Sequence, residues 1–261
     1  REISGIALPD ISAPEKDSIP AAVSLAEWHE SQKNGHGGTV RIMVEPDELA
    51  VIFLNLEKKG AANINLVTPT HFSDRIGIAI DIAREMGLKL PIVYNCGGYE
   101  NVGALRALEG RIDIWMPDFK YYSDELSVRY SHAARYFETA SAALAEMVRQ
   151  TGGKNEFDES GMMKKGVIVR HMILPGHTAD SKHILRYLHE NYQNAVYISI
   201  MNQFTPVGGL EEYPEIDRKL TDEEYKKVVE FAVRIGIEQG FIQEGDTAVE
   251  SFIPAFDGTG I

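Results

Sequence analysis

Cysteine is almost missing from this chain: Cys96 is the only one among 261 residues. No intrachain disulfide can form, which fits a reducing, cytoplasmic setting. Long apolar runs are missing as well, since none approaches the roughly 20 residues a membrane helix requires. The sequence does not read as carrying a secretory signal, so none is expected. Positive charge is in deficit: 26 Lys and Arg stand against 39 Asp and Glu, a formal net charge of −13. Binding a nucleic-acid backbone needs clustered Lys and Arg, so that class of partner is excluded. No Walker-type or dinucleotide glycine fingerprint occurs. His171, His177 and His183 are spaced six apart, which matches no metal-ligand pattern on a helix or strand, so no metal site is expected. The first residue is Arg1 rather than methionine, as in a processed chain or a fragment.

What the chain does have is repetition. Five short apolar runs end in polar clusters: 63–68, 90–95, 112–118, 167–174 and 196–201. Each has the length of a strand buried on both faces, and helix-period segments lie between them. Strand–helix repeats predict a parallel sheet of α/β type, in which ligands bind at the carboxyl ends of the strands. Those ends carry Thr68, Thr70 and His71; Asn95 and Cys96; Asp118 and Lys120; Gln203 and Thr205. They form one candidate rim.

Residues 1–38 lack periodicity and read as an irregular N-terminal insertion or loop, apart from a short helix predicted over 21–32 around Leu25 and Trp28. Residues 39–261 read as the barrel domain. Pro46 and nearby acids predict a helix start, with Leu49, Ile52, Phe53 and Leu56 on one face and Gly60 as its stop. Ser73 is predicted to cap the next helix, which ends at Gly87. Further helices are expected around Val102–Leu108, through Leu144–Val148 to Gly152, around Ile184–Leu188, and after a Thr221/Glu224 capping box. Residues 154–165 read as an exposed loop. Phe252 and Phe256 are expected to pack back on the barrel.

Asp118 and Lys120 lie two apart in an extended segment, so both point to one side. An acid and a base facing one cavity suit a zwitterionic ligand, or acid–base chemistry, or simply each other as an ion pair at the barrel mouth. Arg170 sits inside an apolar strand and must find an anion, either Asp118 or a ligand carboxylate or ribose. His171 has opposite parity and is expected to face the helices. Asn95-Cys96-Gly97-Gly98 would let backbone approach a ligand. Cys96 has no activating base nearby in sequence and is not expected to be a nucleophile.

Five segments together carry a resemblance: 63–72 (NINLVTPTHF), 91–100 (PIVYNCGGYE), Met116-Pro-Asp-Phe-Lys-Tyr121, 166–176 (GVIVRHMILPG) and Gln203-Phe-Thr-Pro206. They resemble the radical S-adenosylmethionine proteins, in particular uncharacterised homologues of pyruvate formate-lyase activating enzyme, over residues 40–261 and the opening Arg1-Glu-Ile-Ser4. The resemblance implies a partial (β/α)6 TIM-like barrel. It implies S-adenosylmethionine and a [4Fe–4S] cluster as cofactors, and reductive cleavage to a 5′-deoxyadenosyl radical. It also implies a glycyl radical enzyme as partner and an electron donor such as flavodoxin or ferredoxin. In that family a Cys-x3-Cys-x2-Cys loop follows the first strand and holds the cluster, ahead of a segment like Arg1–Ser4. The first strand and cluster loop are thus expected to be missing here, and Cys96 cannot replace several thiolates. By the family pattern, Asn95, Asp118, Lys120 and Arg170 lie around the methionyl and ribose portions, and Gln203 near the nucleoside. Thr68-Pro-Thr70 replaces the usual Gly-Gly-Glu. The rival expectation is a degenerate, non-catalytic barrel that acts as a binding or interaction protein.

Overall fold

The computed structural model describes residues 22–24, 44–206 and 210–242. The expected helix over 21–32, apart from 22–24, the Arg1–Ser4 segment and the contacts of Phe252 and Phe256 lie outside the described residues. All five apolar runs are strands. They are β2 (Ile64–Val67), β3 (Ile92–Cys96), β4 (Ile114–Pro117), β6 (Met163–Met172) and β7 (Tyr197–Met201). Two short strands extend the sheet, β1 (Ala22–Ser24) and β8 (Gly240–Ile242). The order is β1-β2-β3-β4-β6-β7-β8, every neighbouring pair parallel. Strand order thus follows chain order, as in a barrel wound in one direction, and β1 and β8 form the two open edges among the described residues. β1 lies on the edge of β2, within the stretch 21–32 that the sequence read as a short helix, so at 22–24 that expectation is corrected to strand.

The helices between the strands are α1 (Pro46–Lys58), α2 (Ser73–Glu85), α3 (Val102–Ala107), α4 (Asp124–Ser131), α5 (Tyr136–Thr151), α6 (Thr178–Tyr192) and α7 (Asp222–Arg234). Thr221 and Glu224 make the expected reciprocal cap of α7. Gly152 ends α5 in the left-handed conformation that glycine adopts without a Cβ penalty. Ser73, expected as a cap, is instead the first residue of α2. A 3-10 turn over Pro69–Phe72 takes up the chain before it. The 154–165 segment is not all loop: β5 (Glu156–Phe157) pairs antiparallel with the start of β6, and Met163 is buried.

Strand parity divides the sheet into two faces. Ile64, Leu66, Tyr94, Cys96, Trp115, Val167, Val169, Ile198 and Ile200 join residues of the helices in one large core. Val93, Ile114, Met116, Ile168 and Tyr197 belong to a separate, smaller cluster that contains no helical residue. The helices therefore cover one face, and the other is the barrel interior. Its lower half is apolar and is closed by Phe157 and Phe241 against Tyr197. Among the described residues, no helix is long and apolar enough to cross a membrane.

Candidate functional site

Following the interior parity toward the strand ends changes the chemistry. Val93 is succeeded by Asn95, Met116 by Asp118, Ile168 by Arg170, and Tyr197 by Ser199. Asp118 and Arg170 stand side by side as an isolated parallel bridge, and Arg170 is in register with Ser199. Apolar layers thus give way to a polar one where ligands bind in parallel barrels.

Asp118 is the hub of that layer. Its Oδ1 accepts from Arg170 Nε at 2.8 Å and from Nη2 at 2.6 Å, while Oδ2 accepts from Lys120 Nζ. Burial alone would raise the Asp118 carboxyl, but Arg170 and Lys120 outweigh it and hold it below its ordinary value. The structural partner expected for Arg170 is therefore present. One carboxylate and two cations leave a surplus positive charge, with Lys120 36% exposed and Arg170 26% exposed. That surplus suits an incoming carboxylate, and Asp118 retains lone pairs for an amine or hydroxyl.

The segment that carries this hub is pinned from behind. Phe119 N donates to Arg170 O at 2.8 Å, and His171 Nδ1 donates to Phe119 O at 2.7 Å. His171 faces the helix-side core as its parity predicted, and burial lowers its pKa. Its Nε2 is buried and has no partner among the described residues, so within them the residue is only half satisfied. Tyr136 of α5 does more. Its hydroxyl accepts from Lys120 N at 2.9 Å and lies 3.3 Å from both Gly97 O and Asp118 O, tying the end of β3 to the end of β4. Gly98, at φ +80°, packs against the same strand end. A Cβ there would lie 1.9 Å from Asp118 O. The close approach expected of the Gly97-Gly98 pair is thus, at Gly98, to backbone rather than to a ligand.

Thr68 is exposed in the left-handed region at φ 51°, with its amide bonded to Asn95 O at 2.8 Å. The Thr70 hydroxyl lies 2.9 and 3.0 Å from the two oxygens of Glu100. Glu100 is 5% exposed, and burial raises its pKa against the pull of Thr70, Cys96 and His71. Asn95 is buried, and its side-chain amide has no partner among the described residues. Gln203 is half-buried beside Met201 Sδ at 3.6 Å, and the Thr205 hydroxyl contacts Gln203 O at 3.5 Å. Asp118, Lys120 and Arg170 are thus brought into direct contact. Asn95 shares their face, and Thr68 and Thr70 line the neighbouring strand end.

Sequence reasoning missed Glu100, Tyr136 and Ser199. Ser199 had a signal, as the one polar residue in Tyr-Ile-Ser-Ile-Met with interior parity. Tyr136 had none, because its partners lie 16 to 39 residues away.

The two implied cofactors fare differently. Unpartnered Asn95 and the cationic surplus at Asp118 fit the amino-acid end of S-adenosylmethionine. An iron–sulfur cluster is not fitted: Cys96 is 2% exposed in the helix-side core, and burial pushes its thiol well above its ordinary value. Among the described residues no group of three or more His, Cys, Asp or Glu is placed to hold a metal ion.

No protein-family model matches the chain. An uncharacterised protein of Methanocaldococcus jannaschii is 26% identical over 198 residues, which cover 76% of this chain and 53% of that protein. The chain thus spans about half the length of this curated relative. Among solved structures, SuiB of Streptococcus suis bound to S-adenosylmethionine aligns with a TM-score of 0.52 at 13% identity, covering 78% of this chain and 44% of SuiB. A second SuiB structure gives 0.50 at 12% identity, with the same coverage. A domain of a pyruvate-formate lyase-activating enzyme from Bacteroides vulgatus gives 0.48 at 8%, covering 70% of this chain and all of that domain. With its strands in chain order, its helices on one face and a polar layer at the strand ends, this chain has the partial α/β barrel fold that the sequence implied, and it shares that fold with S-adenosylmethionine-bound SuiB.

Proposed function

We propose that this chain is the S-adenosylmethionine-binding barrel of a radical enzyme of the activating type, with the ligand held over Asp118, Lys120 and Arg170. The observation that carries the reading is the Asp118-centred triad, with its surplus cation, at the carboxyl end of β4 and β6. Lys120 and Arg170 would receive the ligand carboxylate, and Asp118 a ribose hydroxyl or the amine. Asn95, Ser199 and Gln203 offer neutral hydrogen-bonding groups along the same face, and Thr68 and Thr70 border it. When bound, the cofactor supplies the group that is cleaved; the chain's residues bind it, orient it and exclude water. The [4Fe–4S] cluster, the glycyl radical enzyme and the flavodoxin or ferredoxin donor enter this reading through the family resemblance. The cluster's thiolates would have to come from outside the described residues.

A non-catalytic barrel that binds the same ligand is the second reading, and it needs only the Asp118-centred layer and no cluster. Iron and sulfide reconstitution of the natural-length protein separates the two. Near-stoichiometric cluster supports the enzyme, and its absence supports the binding protein.

Calorimetric titration of S-adenosylmethionine into that protein tests the site itself. Lys120→Met should weaken binding by about 1.5–3 kcal/mol, the scale of a charge-assisted hydrogen bond. Its stability should change by only about 0–1 kcal/mol, because the ammonium is partly exposed. Unchanged affinity with a large stability loss would assign Lys120 to structure alone.

A further inference from the structure

The sequence is acidic and shows no run of cations, yet the fold assembles a cluster of them on the outer helical layer. Lys182 Nζ, Arg186 Cζ and Arg234 Cζ lie 5.9, 5.3 and 5.4 Å from the centre of the Phe231 ring, between α6 and α7. Nine of the eleven described arginines pair with a carboxylate within 4.0 Å. The two that do not are Arg186 and Arg234. Nor does Lys182 have an acidic partner among the described residues.

Four of the carboxylates of α6 and α7 are engaged elsewhere, while Glu190, one turn after Arg186, is exposed and has no ion pair within 4.0 Å among the described residues. Glu223 pairs with Lys227, Glu224 with Arg218 and Glu230 with Lys226. Asp180 accepts the amides of Tyr122 and Ser123. In a chain with a net charge of −13, three cations around one ring with no ion pair among them is the opposite of what chance pairing gives. The ring's quadrupole favours each cation, and their mutual repulsion opposes the arrangement in the free chain.

We propose that Lys182, Arg186 and Arg234, gathered around Phe231, form a site for the diphosphate or triphosphate group of a small molecule. A guanidinium over an aromatic face keeps its N–H edges free for bidentate contact with phosphate oxygens, and the ammonium adds a point charge. The footprint suits one compact, multiply charged group. A nucleic-acid strand would meet the acidic remainder of the chain. The site lies in the helical layer, not in the polar interior described above, and does not depend on the reading of that interior.

Tripolyphosphate titrated calorimetrically into the full chain at about 50 mM salt is the test, and it should bind saturably at one per chain. The Arg186→Ala/Arg234→Ala double variant should bind about tenfold more weakly or worse. Arg135→Ala removes the same charge from an exposed pair with Glu138 and should leave affinity within about twofold. Thermal unfolding of every variant checks folding, and Lys182→Gln and Arg186→Gln singly serve if the double variant unfolds. A nucleoside triphosphate run in parallel identifies the source. Equal affinity means that phosphate alone is read, and tighter binding lost in the same variants means that the nucleoside is read too. No saturable binding, unchanged affinity in the Arg186 and Arg234 variants, or an equal loss in Arg135→Ala would each overturn the proposal.

Discussion

Replacing Tyr136 with Phe removes a single oxygen from the tie between β3 and β4. That oxygen accepts the Lys120 amide at 2.9 Å and sits 3.3 Å from two carbonyls. The residue is 2% exposed, and burial pushes its phenol well up, so the hydroxyl stays protonated and water cannot take its place. The loss therefore strands a buried N–H, at a cost of about 1.5–3 kcal/mol, with the long contacts to the carbonyls adding little. For a chain of this size that corresponds to a fall in Tm of about 3–12 °C. Tyr121→Phe is the matched control, because it loses one hydrogen bond, to Ser131 Oγ at 2.7 Å, and should cost about 0.5–1.5 kcal/mol. Chemical denaturation measures both, and S-adenosylmethionine titration should show weaker binding only for Tyr136→Phe. Equal destabilisation by the two variants, with equal affinity, would refute the view that Tyr136 holds the Asp118–Lys120 segment in place.

Asp118→Asn leaves Arg170 without its anion and should destabilise by about 2–3 kcal/mol, below the full cost of breaking a buried pair because both cations are partly exposed. Since the folded Asp118 pKa is depressed, its contribution is present above the ordinary carboxylate value of about 3.9 and disappears as pH falls through the lower folded value. Acid titration of stability should accordingly be flatter for Asp118→Asn below about pH 4. Glu100 has the opposite sign: its raised folded pKa means that stability falls as pH rises from its unfolded value through the folded one. Glu100→Gln should remove that fall and leave Tm at pH 7 unchanged or higher; a lower Tm would contradict the burial argument. Gly98→Ala combines a left-handed backbone with a clash on Asp118 O, and should cost about 2–5 kcal/mol by denaturation.

The five long strands were legible because each is an uninterrupted apolar run, and parity along them placed Asp118, Arg170 and Asn95 on one face. β1 and β8 were not, since three residues such as Ala22-Val-Ser24 carry no period that separates strand from helix. α4 escaped because its one buried residue is Ser127, which gives no apolar stripe. The start of β6 was hidden by Lys164 and Lys165, which interrupt the apolar pattern of the strand. Glu100 escaped because nothing local reveals it, thirty residues away, as the partner of Thr70. Pairings across such separations are set by packing, and packing leaves no local signature in sequence.

The claim on which the account rests is that the polar layer at the strand ends receives S-adenosylmethionine. A crystal structure of the natural-length protein soaked with that ligand tests it directly. The account predicts the carboxylate of the amino-acid end against Lys120 and Arg170, with the ribose near Asp118 or Gln203. Density for the ligand elsewhere, with the Asp118 triad closed on itself as it is in the free chain, would contradict it.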